Sequence, residues 1–216
     1  MNGNDPIGNL YVSVYSPFAQ RVLAVADRLN IKLERDEIDL DNKPDDFLRR
    51  SPTGEVPLFY TEDRLLYGSD VIAGWLAERA GWEKAWPGDP YWAWRQRLVV
   101  QQWDRVIVPL FRTGLEDNRE LMENRDSFLG ELDWFEDLIR RSAPPTDSML
   151  GLCVGPFWQR FRWYEQEIRF SDWLKGYDVL VSWLDDLLDH ESLKRTAPDR
   201  YLTVRRFKEE WGFDER

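Results

Sequence analysis

Ser16 is the first residue whose type and position could do chemistry. It precedes Pro17 and follows the β-rich run Leu10-Tyr11-Val12-Ser13-Val14-Tyr15, where a strand should give way to a helix. A serine at a helix N-cap stands beside the unpaired N–H groups of the first turn and the positive end of the helix dipole, so its hydroxyl could donate to an anion held there. The same hydroxyl could serve only as a cap. Other chemistries are thinly supplied. One cysteine, Cys153, and one histidine, His190, leave no internal disulfide. They nearly exclude zinc sites built from His and Cys, and they exclude a Cys–His catalytic pair unless these two distant residues meet. No metal is expected. Cys153 lies in the apolar run Leu150 to Val154 and reads as a buried, inert thiol; His190 reads as a partner of a helix C-terminal end.

The elements that must position Ser16 follow from periodicity. Residues 10–15 read as a strand, and Phe18, Val22, Val25 and Leu29 recur at helical spacing after it. Ile31 to Leu40 is a second strand candidate and Asp45 to Arg50 a short helix. Val56 to Tyr60 and Leu65 to Tyr67 flank the polar turn Thr61 to Arg64 as a hairpin, and Ser69 is placed to cap a helix carrying Val71, Ile72, Trp75 and Leu76. Gly81 to Pro90 breaks both periodicities and is the linker candidate. Beyond it, Trp92 to Phe111, Glu120 to Arg141, Ser148 to Tyr164, Tyr177 to Asp189 and Arg200 to Trp211 carry helical apolar faces around the loop Ser142 to Asp147.

Composition narrows the function classes. The 216 residues are 43% hydrophobic and 14% aromatic, which excludes disorder, and the 12 Trp are unusually many. A net charge of −11 repels a polyanion, so nucleic acid is not an expected partner. The apolar runs are far shorter than the ~18 residues of a membrane span, and neither a membrane segment nor a secretory signal is expected. One cysteine fits a reducing cytoplasm.

Four strings then occur in an order that carries a resemblance. Tyr15-Ser16-Pro17-Phe18-Ala19-Gln20-Arg21-Val22 resembles the strand-to-helix segment of tau-class glutathione transferases. It is also similar, except at the first polar position, to that of omega-class members and of stringent starvation protein A. Asn42-Lys43-Pro44, Ser51-Pro52-Thr53-Gly54-Glu55-Val56-Pro57-Leu58 and Gly68-Ser69-Asp70-Val71-Ile72 follow in the same order and spacing as that superfamily's glutathione-site motifs. Gly155-Pro156-Phe157-Trp158-Gln159-Arg160 and Tyr177 to Leu184 resemble its helical half.

The resemblance implies an α/β thioredoxin-like N-terminal domain at about 1–81, an all-α helical C-terminal domain at about 90–216, and a homodimer. Glutathione is implied as co-substrate. Its sulfur would be ionised beside Ser16, because a thiol reacts as thiolate and needs a donor that stabilises the anion. Phe18, Lys43, Val56, Pro57, Ser69 and Asp70 are the implied binding residues: Lys43 for the glycyl carboxylate, Ser69 for the γ-glutamyl carboxylate, and Val56, before a cis Pro57, for the cysteinyl backbone. An apolar electrophile is implied against aromatics such as Tyr91, Trp92, Trp94 and Trp103, with Trp103 taken as the contact. Serine at position 16 cannot form a mixed disulfide, which disfavours reductase chemistry there. Three positions depart from the pattern. Gly68 stands where a Glu would accept the γ-glutamyl ammonium, so restoring Glu is expected to tighten binding. Glu55 stands where many members have Lys, and Gly151 removes the acid of a capping box begun by Ser148. A non-catalytic interaction protein on the same fold is the alternative these departures support.

Overall fold

The computed structural model describes residues 5–109, 125–165 and 174–211, which divide into two compact units. One runs to Ala85 and takes in Glu191–Pro198; the other holds Trp86–His190 and the stretch from Asp199.

The first unit is built on a four-stranded sheet. β1 (Asn9–Val12) leads into α1 (Pro17–Arg28), then β2 (Glu34–Glu37), α2 (Asp45–Arg50), β3 (Leu58–Tyr60), β4 (Leu65–Tyr67) and α3 (Ser69–Arg79). The strand order is β2-β1-β3-β4, with β2 parallel to β1 and the other pairs antiparallel. Period-2 alternation divides the two faces. Leu10 and Phe59, paired across β1 and β3, are fully buried, and Phe59 meets Trp75 of α3 with ring centroids 5.0 Å apart. Tyr11 and Leu58 point the other way and join Ile38 and Phe47 in a core beneath α2. β2 is shorter than the Ile31 to Leu40 expectation because it is an edge strand of four charged residues, Glu-Arg-Asp-Glu; Ile38 lies just past its end, buried, its amide donating to Val12 O at 2.7 Å.

α8 (Glu191–Thr196) closes this unit from far along the chain. Gln20 of α1 donates to Leu193 O at 3.3 Å, Arg195 forks onto Asp27, and Leu193 is fully buried.

The second unit is helical among its described residues: α4 (Pro90–Gln102), a π-helical turn Trp103–Ile107, α5 (Arg125–Ser142), α6 (Met149–Trp163), α7 (Asp178–Leu187) and α9 (Arg200–Trp211). Parts of two expected helices, 110–111 and 120–124, lie outside the described residues. Asp89 caps α4, its Oδ1 accepting from the Trp92 amide at 3.1 Å. α6 is buried on every side from Met149 to Phe161, its apolar residues together with Gln159 and Arg160. Ser148 caps α6 by accepting from the Gly151 amide at 3.2 Å. The missing acid at 151 has a steric reason: a Cβ there would stand 2.3 Å from Thr146 O. His190 pairs with a carboxylate, Asp147 Oδ1, at 3.2 Å.

Candidate active site

The sheet topology gathers the expected site residues. β2 runs parallel to β1, and β3 runs antiparallel with Tyr11 opposite Leu58, so the C-terminal end of β1, the exit of β2 and the entry of β3 share one end of the sheet. Leu58 also pairs with Tyr67, which brings the exit of β4 to that end. Ser16, Lys43, Val56-Pro57 and Gly68-Ser69 therefore all belong to connections made at one end. Four segments separated in sequence become neighbours through strand direction alone.

Ser16 has the geometry of an N-cap, φ −76° and ψ 117°, and its Oγ accepts from the Ala19 amide at 3.2 Å. A hydroxyl carries one proton and two lone pairs. Capping uses a lone pair, and among the described residues the proton is donated to no acceptor. The side chain is half-buried, so the proton can be offered to a bound anion while the cap stays intact.

One residue of this region carried no role in the sequence reading. Arg21 is fully buried, and its Nη1 donates to Ser69 Oγ at 2.8 Å; its guanidinium also lies 5.6 Å from the centre of the half-buried Phe18 ring. Arg21 falls in the same helical phase as Phe18 and Val25, so a charge on the apolar stripe was the available signal.

Ser69 does not cap α3. Gly68 does, at φ 84°, and Ser69 is the first helical residue, 4% exposed. A left-handed cap suits glycine because a Cβ there meets the backbone. A Cβ built on Gly68 would stand 3.4 Å from Asp70 Oδ1, so the half-buried Asp70 carboxylate already lies beside the place of the missing Glu. Lys43 is half-buried in the loop before α2. The Val56–Pro57 peptide is cis.

Trp103 belongs to the second unit. It is 2% exposed, its ring between Phe135 and Phe161 at centroid distances of 5.9 Å, and its indole N–H has no acceptor among the described residues. Among the described residues no three His, Cys, Asp or Glu side chains cluster as a metal site.

This architecture has close counterparts. Residues 10–85 match the family model "Glutathione S-transferase, N-terminal domain". Glutathione S-transferase omega-1 of Mus musculus is 30% identical over 168 residues, 72% of this chain and 69% of that protein. The crystal structure of glutathione transferase Omega 1C from Trametes versicolor superposes with a TM-score of 0.80 at 18% identity, covering 96% of this chain and 98% of that one. The tau-class enzyme of mango, Mangifera indica, gives 0.78 at 18%, covering 93% and 97%. The fold is that of the glutathione S-transferases, a thioredoxin-like sheet domain followed by helices. By sequence the chain belongs to the glutathione S-transferase family.

Proposed function

We propose that this chain binds glutathione at the sheet end described above and transfers its thiolate to an apolar electrophile. The observation that carries the reading is Ser16: a half-buried hydroxyl at the start of α1, whose capping bond leaves its proton available. The γ-glutamyl carboxylate is assigned to Ser69 at the start of α3 and its ammonium to Asp70. The glycyl carboxylate is assigned to Lys43, the cysteinyl backbone to Val56 before Pro57, and the neighbouring apolar surface to Phe18. In the reaction the thiol proton leaves to solvent and the Ser16 hydroxyl and helix dipole stabilise the sulfur anion. The anion attacks the electrophilic carbon, and the leaving group departs with its electron pair.

The wider proposal is a cytoplasmic homodimer. Among the described residues no helix is long and apolar enough to cross a membrane. Tyr67 and Val71 in the first unit and Tyr91 and Trp94 in the second are large and exposed, Trp94 at 69%, as a subunit contact needs. The alternative, a non-catalytic interaction protein, draws its support from Gly68 and Glu55. A glutathione titration followed by Trp fluorescence or calorimetry decides between them. Saturable binding is expected; silence up to about 10 mM, the weak end of affinity, would leave the non-catalytic reading.

A further inference from the structure

We propose that Tyr11 and Asp46 form a clamp that holds α2 against the sheet and thereby positions both glutathione contacts that flank this helix. The inference rests on the glutathione reading above. α2 is the least self-sufficient element near the site. It has six residues, its N-cap is Pro44, and no side chain caps its first turn; so short a helix does not persist in water without tertiary anchors. Lys43 stands two residues before it. Ser51 ends it and holds the path onward to Val56, accepting from the Gly54 amide at 3.0 Å and donating to Glu55 O at 3.5 Å. Where α2 sits therefore sets where Lys43 and Val56 sit.

Three side chains of β1 and α2 fix that place. Phe47 is 1% exposed and meets the Tyr11 ring edge-on with centroids 5.3 Å apart. An apolar plug of this kind is non-directional and lets a short helix rock. The direction comes from the Tyr11 hydroxyl, which donates to Asp46 Oδ2 at 3.1 Å, while Arg50 Nε donates to the same oxygen at 3.0 Å and Arg49 lies 3.5 Å from the other. Tyr11 is 7% exposed and stacked on Tyr60 at 4.7 Å, with the Arg50 guanidinium 5.2 Å from the Tyr60 ring centre. Burial, then the bonds to Tyr60 and Asp46, push the Tyr11 phenol up, so it remains an O–H donor at every working pH. The Tyr11 bond is also the main influence holding the Asp46 carboxyl below its ordinary range, with Arg50 adding to it. Donor and acceptor are thus both in their bonding forms at neutral pH.

Without the clamp α2 populates displaced positions, and the apparent affinity falls by the fraction of molecules that remain competent. The test is glutathione titration of the full chain. Tyr11→Phe keeps the ring and removes the hydroxyl; Asp46→Ala removes the acceptor from an exposed position; Asp46→Asn keeps an oxygen for Tyr11 but no charge for Arg50. Tyr11→Phe and Asp46→Ala should each weaken binding about tenfold, the scale of one charge-assisted hydrogen bond. The double variant should be no weaker than either single, and Asp46→Asn, which keeps an acceptor for Tyr11 without the charge, should fall between the wild type and Asp46→Ala. At saturating glutathione, kcat should be kept, because Ser16 is carried by α1. Amide exchange should quicken in 45–51 and not in α1. Additive losses, an Asp46→Asn as weak as Asp46→Ala, or exchange quickened evenly through the unit would overturn the clamp. Equal glutathione affinity in wild type and Tyr11→Phe overturns the clamp alone, whereas a wild type that does not bind at all overturns the glutathione reading on which it stands.

Discussion

Arg21 Nη1 lies 2.8 Å from Ser69 Oγ, and both side chains are buried, so a charged group of α1 is joined to the first turn of α3. Ser69 spends a lone pair on this bond and keeps its proton for an incoming carboxylate. Ser69→Ala should cost about 1.5–3 kcal/mol of stability, the worth of a hydrogen bond to a charged group, and weaken glutathione binding at the same time. Arg21→Lys should not rescue Arg21→Met, since an ammonium does not reproduce the planar fork. Chemical denaturation of the four chains checks both statements; a Ser69→Ala variant as stable as the wild type would remove the bond from the account.

Ser16 caps α1 and is proposed to stabilise the sulfur anion, and two substitutions separate these roles. Ser16→Ala loses cap and donor, whereas glycine at an N-cap costs only a few tenths of a kcal/mol against ~1 for alanine. Both variants should lose about 10²–10³ in kcat/KM toward a reactive model electrophile, the scale of one oxyanion-type donor. Only the alanine variant should unfold measurably earlier. A glycine variant that keeps the wild-type rate would leave Ser16 a cap and nothing more.

Gly68 meets the condition under which the gain expected from an acid there is masked, a positive φ. An acid there was expected to tighten glutathione binding, but φ is 84° and Asp70 Oδ1 lies 3.4 Å from the position of the new Cβ. A side chain at 68 carries about 1–2 kcal/mol of backbone strain and a Glu would face a second carboxylate. Gly68→Glu should therefore bind glutathione no better than Gly68→Gln. Asp70→Asn is expected to weaken binding about tenfold, because the γ-glutamyl ammonium loses its charged acceptor. Calorimetric titration of the three variants measures this, and a tighter Gly68→Glu complex would refute it.

The sheet domain was legible because local signals and global topology agree there. Ser16-Pro17 marks a helix start, and Val56 to Tyr67 reads as two strands about a polar turn. What stayed hidden depends on groups brought together from afar. Arg21 looks like an ordinary surface cation until helical phase places it on the buried stripe, and its partner lies 48 residues away. α8 was missed because six residues carry too little periodicity to register, and its membership of the first unit rests on partners in α1. The mistaken Ser69 cap has a similar origin: serine is the commoner cap, and only the positive φ of Gly68 moves the helix start by one residue.

Gly151 shows that a departure from a family pattern can be a structural requirement. Ser148 still caps α6, yet a Cβ at 151 would stand 2.3 Å from Thr146 O and 2.9 Å from Leu187 Cδ2. Gly151→Asp should consequently destabilise the chain by more than the ~1 kcal/mol lost in Ser148→Ala, the reverse of what completing a capping box would give. Thermal unfolding of the two variants settles the order.

α8 returns to the first unit from far along the chain. Leu193 is fully buried, whereas the Arg195–Asp27 fork lies at the surface, with the Arg195 side chain 56% exposed. Burial and exposure rank the two anchors. Removing a buried leucine side chain costs about 2–5 kcal/mol through lost transfer energy and the cavity left behind, and exposed ion pairs are worth little. Leu193→Ala should lower the unfolding midpoint clearly, and Arg195→Ala should leave it almost unchanged. It follows that residues 1–85 expressed alone lack part of their own core and should show a broad, weakly cooperative unfolding transition. Extending that fragment by a flexible linker to 191–198 should restore cooperativity, and the same extension carrying Leu193→Ala should not. A sharp, full-amplitude transition from residues 1–85 alone would show that α8 is an accessory to the sheet domain rather than part of it.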